Sequence, residues 1–224
     1  MGNDVSHHES VARGPDARMV DRMVFFSDAV FAIVLTIMVL ELHPPVLSDS
    51  DTDAALWNGL AHMGRTFFAF VVSFLIVGVW WSVHMRVTRT LKSFDWPTAI
   101  FNFLFLFTVT LVPFATSVLG EGVGSPAAWE IYWGVNAACS VTMTLLVFVM
   151  TRGRGKFVGG MSGRERAGRL IQSIGPGIGF AAGVYLASSG DVALSRQCWL
   201  LILPIMALAR VVGGKRPKPA EAAA

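Results

Sequence analysis

Long uncharged stretches alternate along this chain with short clusters of charge, and the stretches set the architecture. Six of them reach or approach the roughly 20 apolar residues that a bilayer-crossing helix needs: residues 23–42, 60–83, 97–119, 127–150, 170–187 and 195–212. The second has a charge-free core from Thr66 onward, and the sixth is a short apolar core bracketed by Arg196 and Arg210. Long arginine side chains at both ends of a span can snorkel to water and lengthen it. Inside hydrocarbon every backbone N–H and C=O must find its partner within the chain, which a helix achieves by itself. The pattern therefore predicts an all-α integral membrane protein with six transmembrane helices over residues 21–212. A tail of residues 1–20 precedes them and a Pro/Lys/Ala-rich tail of residues 213–224 follows.

The charged clusters give these spans a direction. Arg13, Arg18 and Arg22 precede the first, and Arg86, Arg89 and Lys92 lie between the second and third. Arg152, Arg154, Lys156, Arg164, Arg166 and Arg169 lie between the fourth and fifth, and Lys215, Arg216 and Lys218 follow the sixth. The alternate loops carry Asp49, Asp51, Asp53, Glu121 and Asp191 with almost no Lys or Arg. Basic loops stay on the cytoplasmic side, so both termini are expected there, and the strict alternation independently supports a count of six. The first twenty residues are polar and mixed in charge, unlike a secretory leader, so the first span is expected to be a resident helix.

Composition agrees with a lipid environment. Charged residues make up 15% of the chain, against roughly 25% in soluble domains, and mean hydropathy is +0.58. The pI near 9.2 comes from loop cations and calls for no nucleic acid. Cys139 and Cys198 lie in or beside apolar segments and are expected to pack as small hydrophobes. The histidines show no ligand spacing with Cys or paired carboxylates, so neither a metal site nor a cofactor is expected. Three finer features stand out. Gly175, Gly179 and Gly183 form a small-residue ladder for close helix approach, in a segment that Pro176 and Gly177 are expected to interrupt. Trp80, Trp81 and Trp96 are expected near one interface as an aromatic belt. Residues 47–53 (LSDSDTD) read as an acidic, solvated loop.

Ionisable groups inside a span are costly and mark either a function or a satisfied structural lock. Asp28 lies one to two turns inside the cytoplasmic end of the first span, and its candidate partners at similar depth are Arg22, His84 and Asn102. At 100° per residue, Ile33, Ile37 and Leu40 fall within about 60° of one another, with Thr36 at their border and Asp28 about 140° from Ile33. Asp28 and the apolar stripe therefore cannot face the same narrow pathway. Asp28 is expected to turn toward neighbouring helices and lock them, with a water-facing proton relay as the alternative; whether Ile33, Ile37 and Leu40 line a pore or meet lipid or other helices, periodicity does not decide.

The run Arg22-x-x-x-Phe26-Ser27-Asp28 at the start of a first span resembles the transmembrane protein 175 family of potassium channels. The resemblance extends through AVFAIVLTIMVLEL, through Trp81 and His84 in WWSVH, and through Asn102 in FNFLFLFTVTLVPF. It implies a prokaryotic, single-repeat form in the plasma membrane that assembles as a homotetramer, with the first helices lining a central pore. By position it implies an apolar constriction at Ile33, with Ile37 and Leu40 as layers further out and Thr36 as a ring of hydroxyls for a partly dehydrated cation. Arg22, Ser27, Asp28, His84 and Asn102 match the family's polar network tying the first span to the second and third. The permeant species implied is potassium, a monovalent cation, and this sequence has no TVGYG-like filter segment. An apolar constriction gates by dewetting, and hydroxyls beyond it favour the ion that is cheaper to dehydrate. The alternative is a proton-coupled secondary transporter or a proton-conducting channel using Asp28 and His84, although paired broken helices are lacking. An enzyme is not expected, since no acid pair, activated nucleophile or metal spacing lies at one depth.

Overall fold

The computed structural model describes residues 15–46, 52–198 and 200, and all of their regular structure is helical. Helix α1 (Pro15–Ile37) runs on into a 3₁₀ turn, Met38–Glu41. It is followed by α2 (Asp53–His62), α3 (Gly64–Thr88), α4 (Trp96–Thr110), α5 (Val112–Glu121) and α6 (Pro126–Met150). A short α7 (Arg152–Gly155) with a 3₁₀ turn leads to α8 (Gly163–Ser188) and the single turn α9 (Val192–Ser195). Five of these stretches are long and apolar enough to cross a membrane: Asp16–Glu41, Gly64–Thr88, Trp96–Glu121, Pro126–Met150 and Gly163–Ser188. The sixth expected span, 195–212, falls mostly outside the described residues, as does most of the acidic loop 47–53.

Local chemistry explains where these helices begin. Asp95 caps α4, accepting from Thr98 N at 3.2 Å and Thr98 Oγ1 at 2.8 Å, with Pro97 in the first turn where no N–H is missed. Ser162 and Glu165 form a reciprocal capping box at the start of α8.

The first and fifth spans begin earlier than the sequence reading, at Asp16 and Gly163, and three further features differ from it. Leu60, Ala61 and His62 close the separate helix α2 rather than opening the second span, which begins at Gly64. The third span is jointed at Leu111: Pro113 has no N–H to offer Val109 O, and Leu111 N turns back to Thr108 O instead. Pro176, by contrast, does not interrupt its segment, because α8 runs through it as one helix. There Ser140 Oγ donates to Ser173 O at 2.9 Å, beside the Gln172 carbonyl that Pro176 leaves without its helical donor.

The centre of the molecule lies where α3, α4, α6 and α8 meet. Trp80, Phe105, Tyr132, Trp133 and Phe180 are fully buried there, with Trp133 stacked on Phe180 at 5.7 Å. The glycine ladder permits this: a Cβ on Gly183 would sit 2.7 Å from Trp133 Cδ1, so only glycine admits the indole. Trp80 is thus a core residue, not part of an aromatic belt; its Nε1 reaches Asn136 Oδ1 at 3.5 Å. Other polar ties set helix register across the apolar core, including Ser73 Oγ to Tyr132 OH at 3.1 Å and Thr108 to Thr142 at 3.0 Å.

Candidate functional site

Helix α1 lies against α3 and α4, and its side chains divide into two classes. Ser27, Phe31, Val34 and Met38 are buried, and at 100° per residue they occupy an arc of about 60°. This face packs on the rest of the subunit. Ile33, Ile37 and Leu40 are 56, 42 and 69% exposed, and their arc is centred about 120° away. Thr36 is exposed beside them. Its Oγ1 lies 3.0 Å from Ala32 O and 2.9 Å from Ile33 O. Its proton is therefore held by the helix backbone, which turns the oxygen lone pairs outward as acceptors.

Behind the buried face runs a directional chain of hydrogen bonds. His84 Nε2 donates to Asn102 Oδ1 at 2.8 Å, Asn102 Nδ2 donates to Ser27 Oγ at 3.1 Å, and Ser27 Oγ donates to Met23 O at 2.9 Å. The chain takes α3 through α4 to the backbone of α1. All three side chains are buried. The His84 ring stacks on Phe105 at 5.6 Å and leans on Phe31 at 5.7 Å. Its second nitrogen, Nδ1, is buried without a hydrogen-bond partner among the described residues. Among the described residues Asn102 is thus the imidazole's single hydrogen-bond partner.

The remaining two members of the sequence-derived network lie elsewhere. Asp28 is half-buried and does not join the Ser27–Asn102–His84 chain; its Oδ1 accepts from Trp81 Nε1 at 2.9 Å. Arg22 is exposed, and within the described residues no bond connects it to the network. Trp81 as the partner of Asp28 is the residue that sequence reasoning missed. A signal was available: Trp81 and His84 are three apart on α3 and so share a face, while Ser27 and Asp28 are adjacent on α1 and diverge by 100°. One α3 face thus serves both, with Asp28 bound to Trp81 and Ser27 reached through Asn102.

The exposed stripe also borders a groove of about 510 Å³, half open, between the C-terminal half of α1 and the jointed α4–α5 segment. Ile33, Val34 and Ile37 form one wall; Pro113, Phe114 and Ser117 form the other, with Glu41 and Glu121 also contributing to the lining. The Pro113 joint supplies part of this wall directly. Among the described residues no three His, Cys, Asp or Glu side chains come together as a metal site requires.

Comparison with known proteins bears on this arrangement. The model of the family described as the endosomal/lysosomal potassium channel TMEM175 matches residues 22–113, the part of the chain that holds every residue discussed above except Ser117 and its neighbours on α5. A potassium channel of Streptomyces collinus is 32% identical over 124 residues, 55% of this chain and 59% of that protein. A potassium channel of Chamaesiphon minutus is 31% identical over 139 residues, 61% of this chain and 68% of that protein. The crystal structure of a lysosomal potassium-selective channel TMEM175 homologue from Chamaesiphon minutus superposes with a TM-score of 0.73 and 25% identity, covering 86% of this chain and 99% of that one. The chain thus spans 59% of the length of the Streptomyces relative and nearly all of the solved homologue.

Proposed function

Because this chain belongs to the TMEM175 family of multi-pass membrane channels, we propose that it is a potassium channel, not an enzyme, conducting potassium passively through a central pore. Four copies surround that pore, each contributing its first helix. Six spans per subunit leave both termini in the cytoplasm, and the host membrane is the prokaryotic plasma membrane. Ile33 forms the apolar constriction, Ile37 and Leu40 extend it outward, and the Thr36 oxygens receive the partly dehydrated ion.

The observation that carries this reading is the division of α1. A helix pinned through Ser27 on one side, yet exposing three large branched side chains and a threonine on another, has a second face that the described residues of one subunit leave uncovered. Encircled by copies of itself, that face becomes a narrow apolar ring, which closes to ions because it cannot replace their hydration shells. The Ser27–Asn102–His84 chain and the Trp81–Asp28 bond hold the opposite flank, so they act as a lock that keeps the ring in register. The Asp28 carboxylate is engaged within the subunit, which supports the lock over a proton relay.

Purified protein in potassium-loaded liposomes tests the proposal. A potassium gradient should collapse without a cosubstrate, at rates that rise with protein density. Flux that strictly requires a proton gradient, or that saturates at low turnover, would overturn it.

A further inference from the structure

We infer that the docked loops joining α3 to α4 and α6 to α8 form a seat for anionic phospholipid headgroups of the leaflet they face. This surface is separate from the α1 face and the proposed pore. Three bonds join the loops: Lys92 N to Phe157 O at 2.8 Å, Arg169 Nη1 to Thr90 Oγ1 at 2.9 Å, and an ion pair between Arg152 and Asp95. The Arg152 guanidinium also lies over the Phe157 ring at 5.5 Å. Residues distant in sequence are thereby held as one preformed surface.

That surface carries cations that no carboxylate among the described residues neutralises. Arg86, Arg89, Lys92 and Arg164 are exposed, and among the described residues none is paired with a carboxylate. The nearby acids are already engaged: Asp95 binds Arg152 and caps α4, and Glu165 closes the α8 capping box. Arg166 lies over Phe148 at 5.2 Å, and its buried Nε donor has no partner among the described residues. Topology alone asks only for basic residues in these loops. It does not ask that the loops be docked, nor that an arginine donor be left unmet.

Two details match a lipid phosphate. Trp96, next to Asp95, is 80% exposed, and an indole in that position belongs at headgroup depth, where its ring meets acyl chains and its N–H meets water. Lys92 is exposed and passes beside Gly159, at φ +77°, where a Cβ would sit 2.7 Å from Lys92 Cε. An ammonium and clustered guanidiniums beside such a tryptophan suit a phosphodiester at the membrane surface.

Native mass spectrometry of the purified channel, titrated with phosphatidylglycerol and with phosphatidylcholine, tests the seat. The wild type should retain phosphatidylglycerol in preference. The triple variant Arg89→Gln/Lys92→Gln/Arg164→Gln should lower that affinity about a hundredfold, at about fivefold per cation. Should the triple variant fail to assemble, Lys92→Gln alone should give the same fivefold loss. Equal retention of both lipids by the wild type overturns the inference, as does undiminished phosphatidylglycerol binding by the variants. Full displacement of the lipid by inorganic phosphate would also overturn it, by identifying a site for soluble anions.

Discussion

Asn102→Leu removes the link between three helices, and the structure allows its cost to be worked out. His84 Nε2 loses its acceptor while Nδ1 already has no partner, so an imidazole packed between Phe31 and Phe105 would keep no hydrogen bond. An unsatisfied buried polar group costs about 1–3 kcal/mol. Ser27 loses an accepted bond but still donates to Met23 O, so its share is small. The single substitution should therefore destabilise the protein by about 2 kcal/mol. His84→Phe alone leaves Asn102 with an idle carbonyl and should cost a similar amount. The double variant, with apolar groups of similar size on both sides, should recover much of the loss. Polar pairs between membrane helices show coupling of about 0.6 kcal/mol on average and about 1.7 at most. This pair should lie near the upper end, because both residues are buried and His84 has no alternative partner. Reversible unfolding of the detergent-solubilised protein in a double-mutant cycle measures the coupling. Losses that add to within about 0.5 kcal/mol would refute the reasoning, since residues without interaction behave that way.

Other expectations follow from particular contacts. Ile33→Ser should raise single-channel conductance or resting leak, because each 1.4 kcal/mol removed from a dewetting barrier speeds passage about tenfold; planar-bilayer recordings with unchanged conductance would remove Ile33 as the constriction. Trp81→Phe keeps the ring but deletes the donor to Asp28, an exposed bond, and should lower stability by about 1 kcal/mol at most, read as a drop in the temperature at which the assembly dissociates. Gly183→Ala drives a methyl into Trp133 and disturbs the bonds from Trp133 Nε1 to Ser195 Oγ and from Ser195 Oγ to Gly183 O, for a loss of about 1–3 kcal/mol in thermal unfolding.

The helices themselves were largely legible in the chain. Uncharged stretches of bilayer length mark five helical spans within the described residues, and the residues that end or cap them, Asp95, Pro97, Ser162 and Glu165, act through neighbours only a few positions away. Hydropathy smooths over backbone detail, however. It read through Pro113, where the third span is jointed, and expected a break at Pro176, where α8 continues. A proline's effect depends on what satisfies the carbonyls around it, and for α8 the serine that bonds Ser173 O comes from α6.

The candidate site divides in the same way. One helix and its 100° step suffice to separate Ile33, Ile37 and Leu40 from Asp28, because that relation is local. The network is not local. Ser27 meets Asn102 across 75 positions, and Asp28 meets Trp81 across 53. Matching depth grouped Asp28 with Arg22, His84 and Asn102, and the family resemblance added Ser27, whereas the packed helices join Ser27, Asn102 and His84, give Asp28 to Trp81 and leave Arg22 exposed. Trp80 and Trp81 show the limit most directly: adjacent in sequence and alike in chemistry, one fills the core beside Phe105 and Phe180 and the other binds a carboxylate on α1. Hydrophobicity and period determine that a segment is a helix and which residues share a face. The rotation and height of one helix against another decide which face meets which, and those are set by the volumes and hydrogen bonds of residues far away in the chain.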